Sequence, residues 1–204
     1  MKNSIKAAAF AGIAGEILYF LSVTLFLATK ADAALTFWEL MTVIGAVVIL
    51  AVLVFITDRI GMKKIYRTFM LISLSGTLFI TSIAHITSIG VVRPLVAEGK
   101  NIPDFVRIGF FPSMEMTLDY TAWGLFMGFA FLSLCLGIRG GAFMTVKKLS
   151  LNSALLCFAG FVGSFFSENI WYLAPCGYGI GFLIMCILFA RMAPDSFDAD
   201  RTTE

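Results

Sequence analysis

Long apolar stretches alternate with short charged clusters along the chain, and that alternation is the main signal in the sequence. Uncharged or nearly uncharged runs occupy 7–29, 34–57, 68–92 and 120–138, and a fifth extends over 149–190. An α-helix rises 1.5 Å per residue and a hydrocarbon layer is about 30 Å thick, so a span needs about 20 residues. The fifth run therefore holds two spans. Its break is expected at 171–177, where Pro175 and Gly177 disfavour a continuous helix. The reading is an all-α polytopic membrane bundle of six transmembrane helices, at about 7–29, 35–57, 68–92, 118–138, 149–170 and 174–192, in one domain.

Lysine and arginine in the connections set the orientation, because positive side chains accumulate on the cytoplasmic side. Lys2 and Lys6 precede the first span; Arg59, Lys63, Lys64 and Arg67 lie between the second and third; Arg139, Lys147 and Lys148 lie between the fourth and fifth. All fall on one side. Both termini are then cytoplasmic, including the acidic tail 195–204. The opposite face receives Lys30, the turn after Glu168 and the connection 93–117. Three of the five prolines sit in that connection, but Ile102, Phe105, Val106, Ile108, Phe110 and Phe111 are too apolar for a free loop. It is expected to lie at the interface or to fold over the helix ends as a lid.

Composition sharpens the class. The 204 residues are 59% hydrophobic and 14% charged, against roughly 45–50% and 25% for a soluble domain. Membrane lipid is the natural partner of such a chain. A net charge of +2 without a basic tract argues against nucleic acid. The N-terminus imitates a secretory signal, with Lys2, Lys6 and Ala31-Asp32-Ala33, but its apolar run exceeds the usual core of about 7–15 residues and carries Glu16. The four cysteines lack CxxC spacing and read as small hydrophobes. Signatures of hydrolases, metalloproteases and nucleotide-binding proteins are absent from the sequence.

Polar groups inside a membrane are costly and become functional candidates by default. Glu16 lies about 14 Å into the first span, near the middle of the bilayer. It is either a neutral hydrogen-bond donor bonded to a neighbouring helix or a site for a proton or cation. His85, the only histidine, stands among Thr81, Ser82, Thr87 and Ser88. One histidine makes neither a multi-histidine metal site nor paired haem ligation, so no metal and no cofactor are expected. It is either a hydrogen-bonded structural residue or a proton relay.

On the same outer side the topology gathers Glu39, Arg93, Glu115, Asp119, Glu168 and Asn169 with Trp38, Tyr120, Trp123, Trp171 and Tyr172. Glu115 and Asp119, four apart, share a helical face. Helix capping by Ser113 and an aromatic interfacial belt explain many of these positions without a ligand. The alternative is an outward-facing pocket lined by His85, Arg93, Trp123, Glu168, Asn169, Trp171 and Tyr172, with Glu16 below it. Three functions remain open: a protein that binds and moves a small solute or lipid-like ligand; an enzyme pairing His85 with Glu115, Asp119 or Glu168 as general acid and base on a lipid at the outer leaflet; and an accessory or immunity-type protein acting through helix contacts. Small residues four apart, Ala7, Ala11 and Gly15, Gly124 and Gly128, Gly177 and Gly181, predict close helix packing, within the chain or in a homo-oligomer. In architecture alone, six spans with a small-residue face on the first are loosely similar to the substrate-binding subunits of vitamin transporters; no residue carries over.

Overall fold

A computed structural model describes residues 2–139 and 141–192, apart from the side chains at positions 2, 3, 142 and 168. The tail 195–204, placed in the cytoplasm from the charge pattern, lies outside the described residues. Six helices are long and apolar enough to cross a membrane: α1 Ser4–Thr29, α2 Asp32–Arg59, α3 Lys64–Ala97, α4 Met114–Gly137, α5 Met144–Ser164 and α6 Asn169–Arg191. The described residues contain no strand. Helices are the expected form, because lipid offers no partner to a free backbone amide or carbonyl.

Each helix packs on the next in sequence, and α1 closes the ring against α6. Short connections make neighbours antiparallel. Arg59, Lys63, Lys64, Arg67, Arg139, Lys147 and Arg191 therefore gather at one end of the bundle, called here the basic end. In the half next to it, Ile49, Leu53, Ile56, Met70, Phe131, Leu134, Phe143, Phe182 and Phe189 are almost fully buried and form an apolar core. The small-residue spacing of α4 and α6 is spent inside the chain. Gly124 meets Phe161 and Trp171, and Gly128 meets Phe158. Gly177 and Gly181 lie against Ser153. Gly15 approaches Val48, whereas Ala7 and Ala11 are exposed.

Two boundaries differ from the hydropathy reading. The fifth helix ends at Ser164, not near position 170, and the chain turns at 165–167. There the amides of Phe166 and Ser167 bond the Gly163 carbonyl at 2.9 and 3.0 Å. The Ser167 hydroxyl then accepts from the Asn169 amide at 3.3 Å, capping the next helix. Pro175 and Gly177 consequently lie inside α6, which accommodates them with a π-helical turn at Cys176–Ile180. The Cys157 thiol donates to the Ala174 carbonyl beside the proline. Gly160 permits this approach, since a Cβ there would sit 2.6 Å from the Ala174 nitrogen.

The third helix likewise runs past its expected end at position 92. A π-helical turn at Ser88–Val92 carries the Arg93 amide to the Ser88 carbonyl, and the helix continues through Pro94 to Ala97. The connection from α3 to α4 is thus shortened to 98–113, with one 3-10 turn at Asp104–Val106. Phe105, Phe110 and Phe111 are exposed, and the Arg107 guanidinium lies 4.4 Å from the centre of the Phe110 ring.

Candidate functional site

At the end of the bundle opposite the basic connections, α2, α3 and α4 each contribute a polar stripe, and Arg93 stands near the end of α3. On α3, Thr77, Thr81, His85 and Ser88 recur at helical spacing and are all buried. On α2, Asp32, Thr36 and Glu39 follow one face, and on α4 the corresponding line is Glu115, Asp119 and Trp123. Glu39 and Glu115 retain only 1% exposure each.

These stripes meet in a chain of charges. The Arg93 guanidinium donates to Glu39 Oε2 at 2.8 Å, to Thr36 Oγ1 at 2.7 Å and to the Asp32 carbonyl at 2.8 Å. The other carboxylate oxygen of Glu39 faces His85 Nδ1 across 4.0 Å. His85 Nε2 lies 3.3 Å from Asp119 Oδ1. Arg93, Glu39, His85 and Asp119 thus run in sequence across α3, α2, α3 and α4. With Asp119 ionised, its contact requires the hydrogen on Nε2, and Nδ1 then carries a lone pair in the neutral imidazole and a second hydrogen in the imidazolium.

Several polar atoms in this cluster have no hydrogen-bond partner among the described residues: Glu39 Oε1, His85 Nδ1, both oxygens of Glu115, Thr81 Oγ1, Ser88 Oγ and Trp123 Nε1. Native interiors leave few buried polar groups unmatched, so each calls for an explanation. Ser113 does cap α4, accepting from the Met116 amide at 3.1 Å. Capping does not account for Glu115, whose carboxylate is turned inward rather than toward water. The Ile108 amide comes near that carboxylate without making a hydrogen bond.

A cavity of about 420 Å³ adjoins the cluster. Asp32, Thr36, Ser88 and Arg93 line it, and Arg107 and Ile108 of the connection 98–113 form part of its wall. Arg93 and Ser88 therefore border both the cavity and the charge chain.

Not every residue assigned to the pocket from the sequence is found there. His85, Arg93 and Trp123 belong to the cluster or its border, together with the catalytic candidates Glu115 and Asp119. Trp171 is buried beside them in an aromatic group, with ring centres 4.3 Å from Tyr120 and 6.5 Å from Tyr178. Asn169 and Tyr172 are exposed on α6. The Glu168 side chain lies outside the described residues. Glu16 is buried in the α1–α6 seam, with one oxygen 3.8 Å from where a Cβ on Gly179 would stand and no hydrogen bond to that oxygen. Tyr19 lies between the two regions, beside Trp38 and Tyr178 and within electrostatic reach of both Glu16 and Asp119. Among the described residues no three of His, Cys, Asp and Glu are arranged to hold a metal ion.

Sequence reasoning named Glu39 only as part of the rim and missed its place between Arg93 and His85. It also missed the local backbone. π-helical turns at Ser88–Val92, Thr121–Phe126 and Cys176–Ile180 all fall in this half of the bundle. Such turns move the amide partner of a carbonyl one residue further along and are frequent at functional sites. In α4 the Ala122 carbonyl is met by the Thr77 hydroxyl at 3.1 Å. Comparison with family models, curated proteins and solved structures returns no significant match, so function must be read from this chemistry alone.

Proposed function

We propose that this multi-pass membrane protein binds a small polar or lipid-like solute in an outward-facing pocket and moves it across the cell membrane. The observation that carries the reading is the buried His85 flanked by Glu39 and Asp119, with orphaned donors and acceptors around it and a cavity at its border. In a purely structural network such atoms would be expected to find partners, because leaving them unmatched in low dielectric is costly. The positive-inside tendency puts the basic end in the cytoplasm and the cavity outside. Glu16, deeper in the bundle and linked toward the site through Tyr19, supplies a proton-accepting group for coupling. The connection 98–113, with Arg107 and Ile108 at the cavity wall, acts as its cover.

Uptake into proteoliposomes of a panel of small amines, amino acids and carboxylates, with and without a pH gradient, tests this. Signal is expected for one class of solute, lost in His85→Ala, and Glu16→Gln should abolish the pH-driven component. No uptake or binding of any solute would reject the reading.

A second reading is supported by the His85–Asp119 contact of 3.3 Å, which lies within reach of general acid/base work. Here the pair acts on a lipid headgroup at the outer leaflet. Turnover of a labelled phospholipid by the reconstituted protein, lost in Asp119→Asn, would favour it over transport. The reading based on helix contacts placed an oligomer seam along Gly124 and Gly128, and both glycines are covered within the chain by α5 and α6 side chains.

A further inference from the structure

The solute-binding reading leaves its chemistry open, and the charges of the site narrow it. Three carboxylates converge there, from Glu39, Glu115 and Asp119. The Arg93 cation pairs with Glu39, and His85, in the neutral tautomer that leaves Nδ1 free to accept, donates to Asp119. Glu115 remains, 1% exposed, with neither oxygen bonded.

Most of the unmatched atoms are acceptors, with Trp123 Nε1 the one donor-only atom among those named above. When ionised, Glu39 and Glu115 offer only acceptors at these oxygens, and His85 Nδ1 is an acceptor in the neutral tautomer that bonds Asp119. The hydroxyls of Thr81 and Ser88 can accept as well. Acceptors thus outnumber donors in the site. The 4.0 Å gap between His85 Nδ1 and Glu39 Oε1 is too long for a hydrogen bond and suits two acceptors sharing a donor group placed between them. Among the described residues no three ligating side chains are arranged to hold a metal ion, whereas an ammonium group brings a positive charge and three N–H donors at hydrogen-bond distances.

Resting on the solute-binding reading, we propose that the outer site receives the ammonium group of a small organic amine, with Glu115 as its counter-charge and Glu39 Oε1 and His85 Nδ1 as further acceptors. Arg93 holds Glu39 in place from the cavity side, and Asp119 fixes the His85 ring.

Equilibrium binding of radiolabelled methylammonium to the full-length protein in lipid nanodiscs tests this. The wild type should bind it saturably; sodium at equal ionic strength should not displace it. Tetramethylammonium, which carries the charge but no N–H donor, should compete at least about tenfold more weakly than ethylammonium. Glu115→Gln should weaken binding by at least about tenfold, while Glu115→Asp, which keeps the charge, should retain a measurable share. The proposal is overturned if wild type shows no saturable methylammonium binding, if tetramethylammonium competes as well as ethylammonium, or if folded Glu115→Gln binds like wild type. Should Glu115→Gln fail to fold, the competition series in wild type still decides. Neutral or anionic solutes that bind in a His85-dependent way, without methylammonium binding, would overturn the ammonium assignment and leave solute binding standing; absence of binding by any solute would remove both.

Discussion

The two halves of this bundle solve different problems with the same six helices. Beside the basic end, Phe131, Leu134, Ile56 and Phe189 fill the interior with apolar volume, and α4 and α6 are regular there. In the opposite half, Glu39, His85, Arg93, Glu115 and Asp119 occupy the interior and three helices carry π turns. In water the apolar half would dominate stability. In lipid, tails are as apolar as leucine, so that half gains from packing but little from transfer. The polar half, by contrast, becomes more sensitive, because a charge deprived of its partner has no water to turn to.

The largest expected effect therefore lies in the polar half. Arg93→Ala leaves Glu39 buried and unpaired, and should cost about 3 kcal/mol, near the low end for breaking a buried pair because Arg93 is partly exposed. Adding Glu39→Gln to it should recover most of that loss in reversible unfolding measurements in bicelles. Next comes Phe131→Ala in the apolar half, at about 2 kcal/mol from the cavity term alone. It should leave ligand affinity per folded molecule unchanged; a loss of affinity would show that the halves are coupled. Thr77→Val removes the hydroxyl that donates to the Ala122 carbonyl beside the Met127 amide and should cost about 1 kcal/mol, with faster hydrogen exchange at 121–126 as its local sign.

The smallest effect has the opposite sign. Glu115→Gln replaces a buried carboxyl that has no hydrogen-bond partner among the described residues and adds an amide donor among unmatched acceptors. Stability should be unchanged or higher by up to about 1 kcal/mol, while ligand binding falls. That trade is characteristic of a residue retained for function at some expense in stability.

The apolar half was legible from sequence and the polar half only partly. Hydropathy locates all six helices, since a span must be long, apolar and free of charge. It failed at 165–177 because it treats Pro175 and Gly177 as breakers. Tertiary partners override that tendency: Gly160 lets α5 approach, Cys157 meets the Ala174 carbonyl, and a π turn absorbs the strain. Ser167 followed by Glu168 was the readable sign of the true helix start. His85, Glu115 and Asp119 stood out as polar residues in apolar surroundings. Glu39 was harder to place, because its role depends on Arg93, 54 positions away, reaching back from a continuation of α3 that the sequence reading had assigned to the connection. Asn169 stands out in the sequence as a polar residue beside Glu168 that interrupts an apolar region, and Tyr172 as one of the outer aromatics, yet both are exposed on α6.

The account turns on whether the buried polar half is kept for a ligand or for the fold, and the stability of Glu115→Gln in lipid separates these. A ligand site predicts a variant at least as stable as wild type that no longer binds. A loss of more than about 1 kcal/mol with binding intact would show that Glu115 serves the fold, and would contradict the account.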